Sequence, residues 1–462
     1  MNRIVIIGGG PAGYVAAITA AQQDKEVILV VDGPLGGTCL NEGCMPTKSL
    51  LKSADTYDLV KNAGEMGIRL SPNSIEVDWD TVQERKREVI SKLVNGIRYL
   101  MGKNKIKVIQ GRASILSSNR LRIENGNENE NEVIDASKII ISTGSEPIPL
   151  PFAPFDGEWI IHSGHAMSLP AIPDSLLIVG GGVIGCEFSS IYSRLGTKVT
   201  VIEMGEKLLP GEDEDITNIL HEELKNQGVT VHTSTAVKNI NATSKTVFLE
   251  NSDGKLEEIQ ADYVLVSIGR RPRVNGVGLE ENDIDFSRFG ISVDVRMQTS
   301  NPTIYACGDV IGGIQLAHVA FHEGRVAALN ACGQFAQVNY RAIPRCIYTS
   351  PEIASVGLTE KEARQKYGEI KVGEFAFSAN GKAALSNKPV GKVKVLVNPQ
   401  YNEILGFSIV GQHATELIGQ GTIMLHAEIT ADMMEDLVAA HPTLSESIHE
   451  ALLNVIGQAV HS

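Results

Sequence analysis

Two stretches of the chain show the same order of hydrophobic and polar positions. Each begins with a continuous apolar run, at residues 4–7 in one stretch and 176–179 in the other. Such a run is typical of a strand buried in a parallel sheet. A glycine-rich turn follows, then apolar residues at helical spacing, then a second apolar run that ends at an acidic residue. This order predicts one strand-helix-strand unit in each stretch.

The first stretch has the glycine spacing of a dinucleotide-binding turn. Gly8, Gly10 and Gly13 follow the first strand directly, and a helix is predicted from Tyr14. The first glycine permits a tight turn, the second lets the backbone approach a pyrophosphate, and the third lets helix and strand pack closely. Asp32 ends the next strand, at the position where a carboxylate holds a ribose hydroxyl. Together these residues predict a dinucleotide site.

The second stretch repeats this motif, with Gly180, Gly182 and Gly185 after its first strand. Its second strand ends at Glu203. A carboxylate there accepts a hydrogen bond from the 2′-hydroxyl of NAD and repels the 2′-phosphate of NADP. No arginine follows that could reverse this preference for NAD. A later strand runs into Gly269, just as a strand in the first stretch runs into a Thr-Gly turn. Two copies of one unit predict two dinucleotides, with NAD at the second site.

The rest of the chain has a different pattern. Residues 52–102 read as two helices with a polar break at residues 71–73, and residues 107–123 alternate as antiparallel strands do. The polar run at residues 125–131 predicts a solvated hairpin tip. After Gly333 the pattern changes to alternating strands and helices, which predicts a third domain. Two of its strands are predicted at residues 393–397 and 403–410.

Length and composition agree with a globular protein of several domains. The 462 residues are too many for one hydrophobic core and predict roughly three domains. A net charge of −14 argues against nucleic acid or an anionic membrane as a partner. No apolar run reaches the length of a membrane span, and the first strand begins almost directly after Met1. We therefore expect a cytoplasmic protein without a targeting peptide.

Cys39 and Cys44 have the layout of a working thiol pair. Four residues separate them, and a helix is predicted to begin beside Cys44. Unpaired amides at a helix N-terminus favour a thiolate, and Lys48, one turn later, would favour it further. A zinc half-site and a structural disulfide are the alternatives, but no second ligand pair lies nearby and no secretory signal is present. The other cysteines are predicted to be buried thiols: Cys186, Cys307, Cys332 and Cys346.

The segment at residues 36–48 is GGTCLNEGCMPTK, and it resembles the redox-active disulfide segment of the FAD-dependent pyridine nucleotide-disulfide oxidoreductases. Within that family it is most similar to the dihydrolipoyl dehydrogenases. The two glycine motifs, residues 298–309 and the tail motif HPTLSE at residues 441–446 are similar to family motifs as well. The resemblance extends over residues 3–456.

This resemblance implies an α/β fold with two Rossmann-like dinucleotide-binding domains, for FAD and NAD, and a C-terminal α+β dimerisation domain. We expect a homodimer. The implied segments are an FAD-binding domain at residues 1–149, an NAD-binding domain at 150–272, a second part of the FAD-binding or central domain at 273–340, and an interface domain at 341–462.

By the same resemblance, the first dinucleotide site holds FAD. Asp309 is expected to bind the ribityl chain of the flavin, although read alone it could be a turn residue. Ala317 opens a helix expected at the pyrimidine edge of the flavin. Val319, Phe321 and His322 depart from the usual charged residues there, which leaves open whether they tune the flavin or only alter a surface. The expected FAD contacts are Gly8, Gly10, Gly13, Asp32, Thr38, Lys48, Thr143, Gly144, Asp309 and Ala317.

Glu187 lies two residues after the last glycine of the second motif. As a carboxylate in the first turns of a helix, it could simply complement the helix dipole. In the family, however, the glutamate at this position pairs with the lysine that corresponds to Lys48, beside the reactive nitrogen of the flavin. The resemblance therefore implies a catalytic ion pair between Lys48 and Glu187.

The tail contains a second pair, His441 and Glu446. Thr443 and Glu446 have the spacing of a capping box, which would make Glu446 structural. A histidine oriented by a carboxylate is also the usual means of moving a thiol proton near neutral pH. In the dihydrolipoyl dehydrogenases the corresponding pair is the catalytic base and reaches the disulfide of the other subunit. The resemblance thus implies that two chains build each active site.

The implied activity is the oxidation of dihydrolipoamide to lipoamide. His441 would take a proton, the substrate thiolate would attack Cys39, and electrons would pass from Cys44 to FAD and on to NAD as hydride. No lipoyl module precedes Met1, so the substrate is expected on a separate lipoyl domain or H-protein of a 2-oxoacid dehydrogenase or glycine cleavage complex. No metal cofactor is expected.

Other functions stay open. A glutathione-type reductase should prefer NADP, which Glu203 disfavours. A mercuric-type reductase should carry a vicinal cysteine pair near the C-terminus, which this sequence lacks. A flavin- or NAD-binding sensor without catalysis would need neither the two cysteines nor the His441–Glu446 pair.

Overall fold

The structure is a computed structural model that describes residues 2–71, 75–124 and 131–461. The polar break predicted at residues 71–73 and the hairpin tip predicted at residues 125–131 lie almost entirely outside the described residues. The α-helices of the described residues are α1 (Pro11–Ala21), α2 (Gly37–Asn41), α3 (Cys44–Lys61), α4 (Trp79–Lys103), α5 (Ser163–Ala166), α6 (Val183–Arg194), α7 (Glu214–Asn226), α8 (Ala317–Ala331), α9 (Glu360–Tyr367), α10 (Gly381–Leu385), α11 (Ala414–His426) and α12 (Glu446–Val455).

Most of the strands are short. They are β1 (Arg3–Ile7), β2 (Glu26–Val31), β3 (Lys107–Gln110), β4 (Arg112–Ser117), β5 (Arg120–Glu124), β6 (Glu132–Asp135), β7 (Lys138–Ile141), β8 (Ser145–Pro147), β9 (Ile160–Ile161), β10 (Ser175–Val179), β11 (Lys198–Ile202), β12 (Thr230–His232), β13 (Thr235–Asn241), β14 (Thr246–Asn251), β15 (Leu256–Gln260), β16 (Tyr263–Val266), β17 (Arg270–Pro272), β18 (Phe286–Ser287), β19 (Gly290–Ile291), β20 (Ile304–Ala306), β21 (Arg345–Ile347), β22 (Glu352–Gly357), β23 (Lys371–Ala376), β24 (Lys392–Val397) and β25 (Ile404–Gly411).

Five parallel strands form the first sheet, in the order β20-β7-β1-β2-β3. Its central strands are buried on both faces, as their continuous apolar runs predicted. Helix α1 begins at Pro11, three residues before the predicted start, because proline suits the first position of a helix. Strand β20 enters this sheet from a distant part of the chain, so two separate segments build it.

One strand prediction is wrong in part. Residues 107–123 were expected to form antiparallel strands, but β3 pairs in parallel with β2 at the edge of the first sheet. The rest of this stretch agrees with the prediction, since β4 and β5 pair antiparallel. The alternation in β3 arises because an edge strand exposes most of its side chains. A pattern of this kind reports exposure, and it does not fix strand direction.

The second sheet repeats the arrangement of the first. Its five strands are also parallel, in the order β12-β11-β10-β16-β9. Helix α6 follows β10 as α1 follows β1, with a glycine turn in between. This repetition confirms the α/β fold with two dinucleotide-binding units.

The third sheet is antiparallel, in the order β21-β22-β25-β24-β23. Helices α11 and α12 pack against it around a core that contains Val393, Phe407 and Leu452. Strands β24 and β25 lie within one residue of their predicted bounds. The exact domain boundaries stay a prediction.

Candidate active site

A cavity of about 1070 Å³ opens at the carboxyl end of the first sheet, between that sheet, helix α6 of the second unit and strand β21 of the third. Active and cofactor sites of parallel sheets occur at this end. Both cysteines of the predicted thiol pair line the cavity. Of the residues predicted to bind FAD, those that line it are Gly8, Gly10, Asp32, Thr38, Lys48, Thr143, Gly144, Asp309 and Ala317.

The glycine turn fits a pyrophosphate. A Cβ atom on Gly8, whose φ is +111°, would lie 2.1 Å from the Ser142 carbonyl oxygen. A Cβ atom on Gly13 would lie 1.8 Å from the Gly8 carbonyl oxygen, so Gly13 serves helix packing and does not line the cavity. For a Cβ atom on Gly10 the nearest neighbour would be the Gly37 Cα atom at 3.9 Å, an ordinary contact distance, and Gly10 directly precedes α1. An anionic diphosphate suits a helix N-terminus that is open in this way.

The second glycine turn has the same backbone conformation as the first, but its three glycines do not line the cavity. Cβ atoms on Gly180 and Gly185 would lie 2.6 Å from the Ser267 carbonyl oxygen and 2.0 Å from the Gly180 carbonyl oxygen, whereas Gly182 faces open space. The carboxylate of Glu203 accepts hydrogen bonds from the amides of Gly181 and Gly205, each at 2.6 Å. Gly269 has a φ of +129°. The residues predicted to bind NAD therefore keep the form of a dinucleotide turn.

The thiol pair lies where α2 ends and α3 begins. Cys39 is within α2, Cys44 is the first residue of α3, and both are free thiols. A hydrogen bond from Cys39 and the charge of Lys48 lower the pKa of Cys44 to about 7, against the effect of burial. The same hydrogen bond raises the pKa of Cys39. Cys44 is thus the sulfur that carries negative charge near neutral pH.

Lys48 and Glu187 form an ion pair beside these sulfurs. Lys48 Nζ lies 2.8 Å from Glu187 Oε1 and 2.9 Å from Oε2. Glu187 is buried, and it also accepts a hydrogen bond at 3.0 Å from the backbone amide of Tyr348. Both oxygens of the Glu187 carboxylate thus bind Lys48. This favours the ion pair between Lys48 and Glu187 over the interpretation of Glu187 as a helix-dipole partner.

Asp309 is held by residues that the sequence analysis missed. Ser145 Oγ donates to Asp309 Oδ2 at 2.5 Å, and Arg270 donates to Ser145 Oγ at 2.8 Å and to its carbonyl oxygen at 2.9 Å. Antiparallel pairing of β8 with β17 brings Ser145 and Arg270 together across more than a hundred residues. The signal available in the sequence was the repeated strand-to-glycine turn, since each residue directly follows one of those turns.

His441 and Glu446 also meet, but outside the cavity. His441 Nδ1 lies 2.8 Å from Glu446 Oε1, and the His441 side chain is 78% exposed. Burial raises the pKa of Glu446, but two hydrogen-bond partners outweigh it and lower that pKa overall. These partners are the amide of Thr443, at 2.7 Å, and His441. The predicted capping box forms only in part: the Thr443 hydroxyl donates to the Ala440 carbonyl instead, because α12 begins at Glu446 itself.

The three departures from the family pattern have different surroundings. Phe321 lines the cavity, and its ring centre lies 5.9 Å from that of Tyr14. Val319 is buried and His322 is half-buried, and neither lines the cavity. Only Phe321 is therefore placed to influence a bound molecule.

The remaining cysteines divide into two groups. Cys186 and Cys307 are buried, as predicted, but Cys332 and Cys346 are only half-buried, so the prediction is wrong for these two. Cys332 lies at the end of α8, and Cys346 lines the cavity from β21, so neither is enclosed by a core. Among the described residues, no helix is both long and apolar enough to cross a membrane, and no group of three or more His, Cys, Asp or Glu side chains is arranged to hold a metal ion.

Known proteins resemble this chain over its whole length. It is 54% identical over 459 residues to a dihydrolipoyl dehydrogenase of Bacillus subtilis (strain 168), an alignment that covers 99% of this chain and 100% of that protein. Among solved structures, LpdA from Mycobacterium tuberculosis has a TM-score of 0.90 and 28% identity, covering 98% of this chain and 99% of that one. The Cu(II) complex of the HOCl-induced flavoprotein disulfide reductase RclA from Escherichia coli has a TM-score of 0.86 and 28% identity, covering 98% of each chain.

Two family profiles match adjoining parts of the chain. The pyridine nucleotide-disulphide oxidoreductase profile matches residues 2–324, which include both glycine turns and the Cys39–Cys44 pair. The dimerisation-domain profile of the same family matches residues 343–452, which include the third sheet and the His441–Glu446 pair. The chain therefore belongs to the pyridine nucleotide-disulphide oxidoreductase family.

Proposed function

We propose that the chain is a dihydrolipoyl dehydrogenase that uses FAD and NAD. The observation that carries the proposal is the thiol pair in the cavity, in which Cys44 has a lowered pKa and adjoins the Lys48–Glu187 ion pair. A thiolate stabilised in this way is the reactive form in thiol–disulfide exchange. The 54% identity to a dihydrolipoyl dehydrogenase over nearly the whole chain supports the same activity.

The chain's own residues suit the cofactors. Gly10 and the N-terminus of α1 would hold the diphosphate of FAD, Asp32 a ribose hydroxyl, and Asp309 the ribityl chain. Bound FAD would supply hydride transfer between the thiol pair and NAD. Glu203, at the end of β11, would receive the NAD ribose.

His441 is proposed as the base for the substrate thiol. Its Nδ1 is turned toward Glu446, which leaves Nε2 for the proton of an incoming thiol. Because the dimerisation-domain match supports a homodimer and His441 is exposed in one chain, we place His441 at the thiol pair of a second copy. Each active site would then need both chains.

The substrate is proposed to be dihydrolipoamide carried on a separate lipoyl domain or H-protein. A 2-oxoacid dehydrogenase or glycine cleavage complex would be the assembly that presents it, and the cytoplasm its place. In the oxidised pair, the substrate thiolate would attack the disulfide sulfur of Cys39, and Cys44 would leave as a thiolate. The electrostatics of the reduced pair agree with this order, because the hydrogen bond between the two sulfurs raises the pKa of Cys39 and lowers that of Cys44.

Steady-state kinetics of the holoenzyme tests this function. We expect rapid NADH formation from dihydrolipoamide and NAD, and at most slow turnover of glutathione disulfide with NADPH. Cys39→Ser and Cys44→Ser should each abolish the first reaction, whereas Cys332→Ser, a thiol outside the cavity, should keep it. Faster reduction of glutathione disulfide than oxidation of dihydrolipoamide would contradict the proposal.

A further inference from the structure

Tyr348, the residue after β21, contacts the Lys48–Glu187 ion pair. Its backbone amide donates to Glu187 Oε1 at 3.0 Å, and its ring centre lies 4.4 Å from Lys48 Nζ. Tyr348 also lines the cavity that contains Cys44. One residue therefore contacts both members of the pair, one through its backbone and the other through its ring.

Tyr348 is itself held in place. Strand β21 pairs with β22, and the turn between them is anchored to the second unit by two hydrogen bonds. The Ser350 amide donates to Ser190 Oγ at 3.1 Å, and Gln227 Nε2 donates to the Ser350 carbonyl at 2.6 Å. Three regions of the chain therefore supply this cluster: α3 carries Lys48, α6 carries Glu187, and the turn after β21 carries Tyr348. The packing of these regions fixes the relative positions of the three side chains.

Lys48 needs such a restraint. A lysine ammonium lies at the end of a flexible stem and occupies many positions when it is free. The Lys48 side chain is 28% exposed, so water competes for it, whereas the Glu187 side chain is 5% exposed. A cation over an aromatic face is attracted to the ring, and more strongly when it is partly shielded from water. Glu187 and the Tyr348 ring together restrict the ammonium from two directions.

We propose that Tyr348 is a positioning residue: its ring holds the Lys48 ammonium beside the Cys44 sulfur and so favours the thiolate. This inference rests on the proposed function only in that Cys44 works as a thiolate. The attraction on Lys48 comes from the ring face and not from a phenolate charge, because burial raises the pKa of Tyr348 to about 12 and keeps its hydroxyl protonated.

Several titratable and charged groups surround this point. Cys44 is faced by Cys39, Lys48, Glu187 and Arg270, and Lys48 is faced in addition by Cys346 on β21. The hydrogen bond from Cys39 and the charge of Lys48 lower the pKa of Cys44, while burial and Glu187 raise it. Loss of the ring changes none of these groups and acts on Cys44 only by releasing Lys48.

The test compares Tyr348→Phe with Tyr348→Leu in the purified holoenzyme. After anaerobic reduction with dithionite, the long-wavelength absorption between the Cys44 thiolate and the flavin is titrated against pH. We expect wild-type titration for the Phe variant and an upward shift of about one pKa unit for the Leu variant. Iodoacetamide should alkylate Cys44 more slowly at neutral pH in the Leu variant alone. Tyr401→Leu, at an exposed tyrosine before β25, is the matched control and should titrate as wild type.

A merely structural role predicts lower stability without a shifted titration. Wild-type titration of the Leu variant therefore overturns the proposal, and so does a Phe variant that shifts as far as the Leu variant. If the Leu variant does not fold, fluorinated phenylalanines at position 348 keep the ring while weakening its negative face. The thiolate pKa should then rise with each added fluorine, and an unchanged pKa overturns the proposal. Dithionite needs no lipoyl substrate, so a wrong substrate assignment leaves this test readable.

Discussion

This chain contains two pairs of a basic and an acidic side chain that have the same nitrogen–oxygen distance but opposite surroundings. Lys48 Nζ and Glu187 Oε1 are 2.8 Å apart, as are His441 Nδ1 and Glu446 Oε1. The Glu187 side chain is 5% exposed, and three regions of the chain enclose its pair. The His441 side chain is 78% exposed, and both members of its pair come from one short segment. The first pair is complete within one chain, whereas the second gains its role, on our proposal, from a second copy.

The difference shows why distance alone is a poor guide to function. A buried carboxylate must keep its cation, since an unpaired buried charge is strongly destabilising. An exposed pair contributes little to stability, because water screens it. We therefore expect changes to the buried pair to alter both stability and chemistry, and changes to the exposed pair to alter chemistry alone.

The largest expected effect is on turnover. His441→Gln removes the proposed base and should lower kcat for dihydrolipoamide oxidation by about 10²- to 10⁴-fold, the usual contribution of general-base catalysis. The urea midpoint and the long-wavelength absorption of the reduced enzyme should stay at their wild-type values. A loss of less than about fivefold would mean that another group takes the proton.

Complementation separates a shared active site from one built within a single chain. Co-expressed His441→Gln and Cys44→Ser chains should form mixed dimers in which one of the two sites has both an intact Cys44 and an intact His441. With random pairing, about a quarter of wild-type activity should return, although each variant alone is nearly inactive. Activity no higher than that of the separate variants would place both residues of each site in one chain.

The buried pair should dominate stability. Glu187→Gln leaves Lys48 without its anion and should lower the free energy of unfolding by about 2 kcal/mol, less than for a fully enclosed pair because the lysine reaches solvent. Glu446→Gln should change it by less than about 0.5 kcal/mol. Urea denaturation of the two holoenzymes gives both values, and equal values would remove the distinction between the pairs.

The thiolate should respond to pH through the buried pair. Folding lowers the pKa of Cys44 to about 7, so the thiolate is favoured above that pH and is lost as pH falls through it. The absorption of the reduced enzyme should be half-maximal near pH 7. Lys48→Met should move that midpoint upward, and His441→Gln should leave it in place. A midpoint that Lys48→Met does not change would show that the cation is too far away to act.

Local structure was the part of this fold that the sequence predicted best. Glycine spacing and apolar runs predicted both nucleotide-binding units, because a turn and its flanking strand and helix depend on neighbouring residues. Tyr348, Ser145 and Arg270 were missed, because long-range pairing brings them to the site and no local pattern marks them. The alternation of residues 107–110 was misread for a related reason: exposure at a sheet edge resembles antiparallel pairing. Resemblance supplied the roles of Glu187 and Glu446, for which spacing alone favoured helix-terminal positions.

The smallest effect concerns the residue that was predicted to cap the last helix. The Thr443 hydroxyl donates to the Ala440 carbonyl, and only its backbone amide reaches Glu446. Thr443→Ala keeps that amide, so kcat/KM should stay within about twofold of wild type, and stability should change by less than about 0.5 kcal/mol. Thr359, whose hydroxyl does accept from the Glu362 amide at the start of α9, is the matched comparison. Thr359→Ala should cost about 1 kcal/mol in urea denaturation. If Thr443→Ala costs as much, the hydroxyl caps the helix after all, and Glu446 then owes its position to a complete capping box as well as to His441.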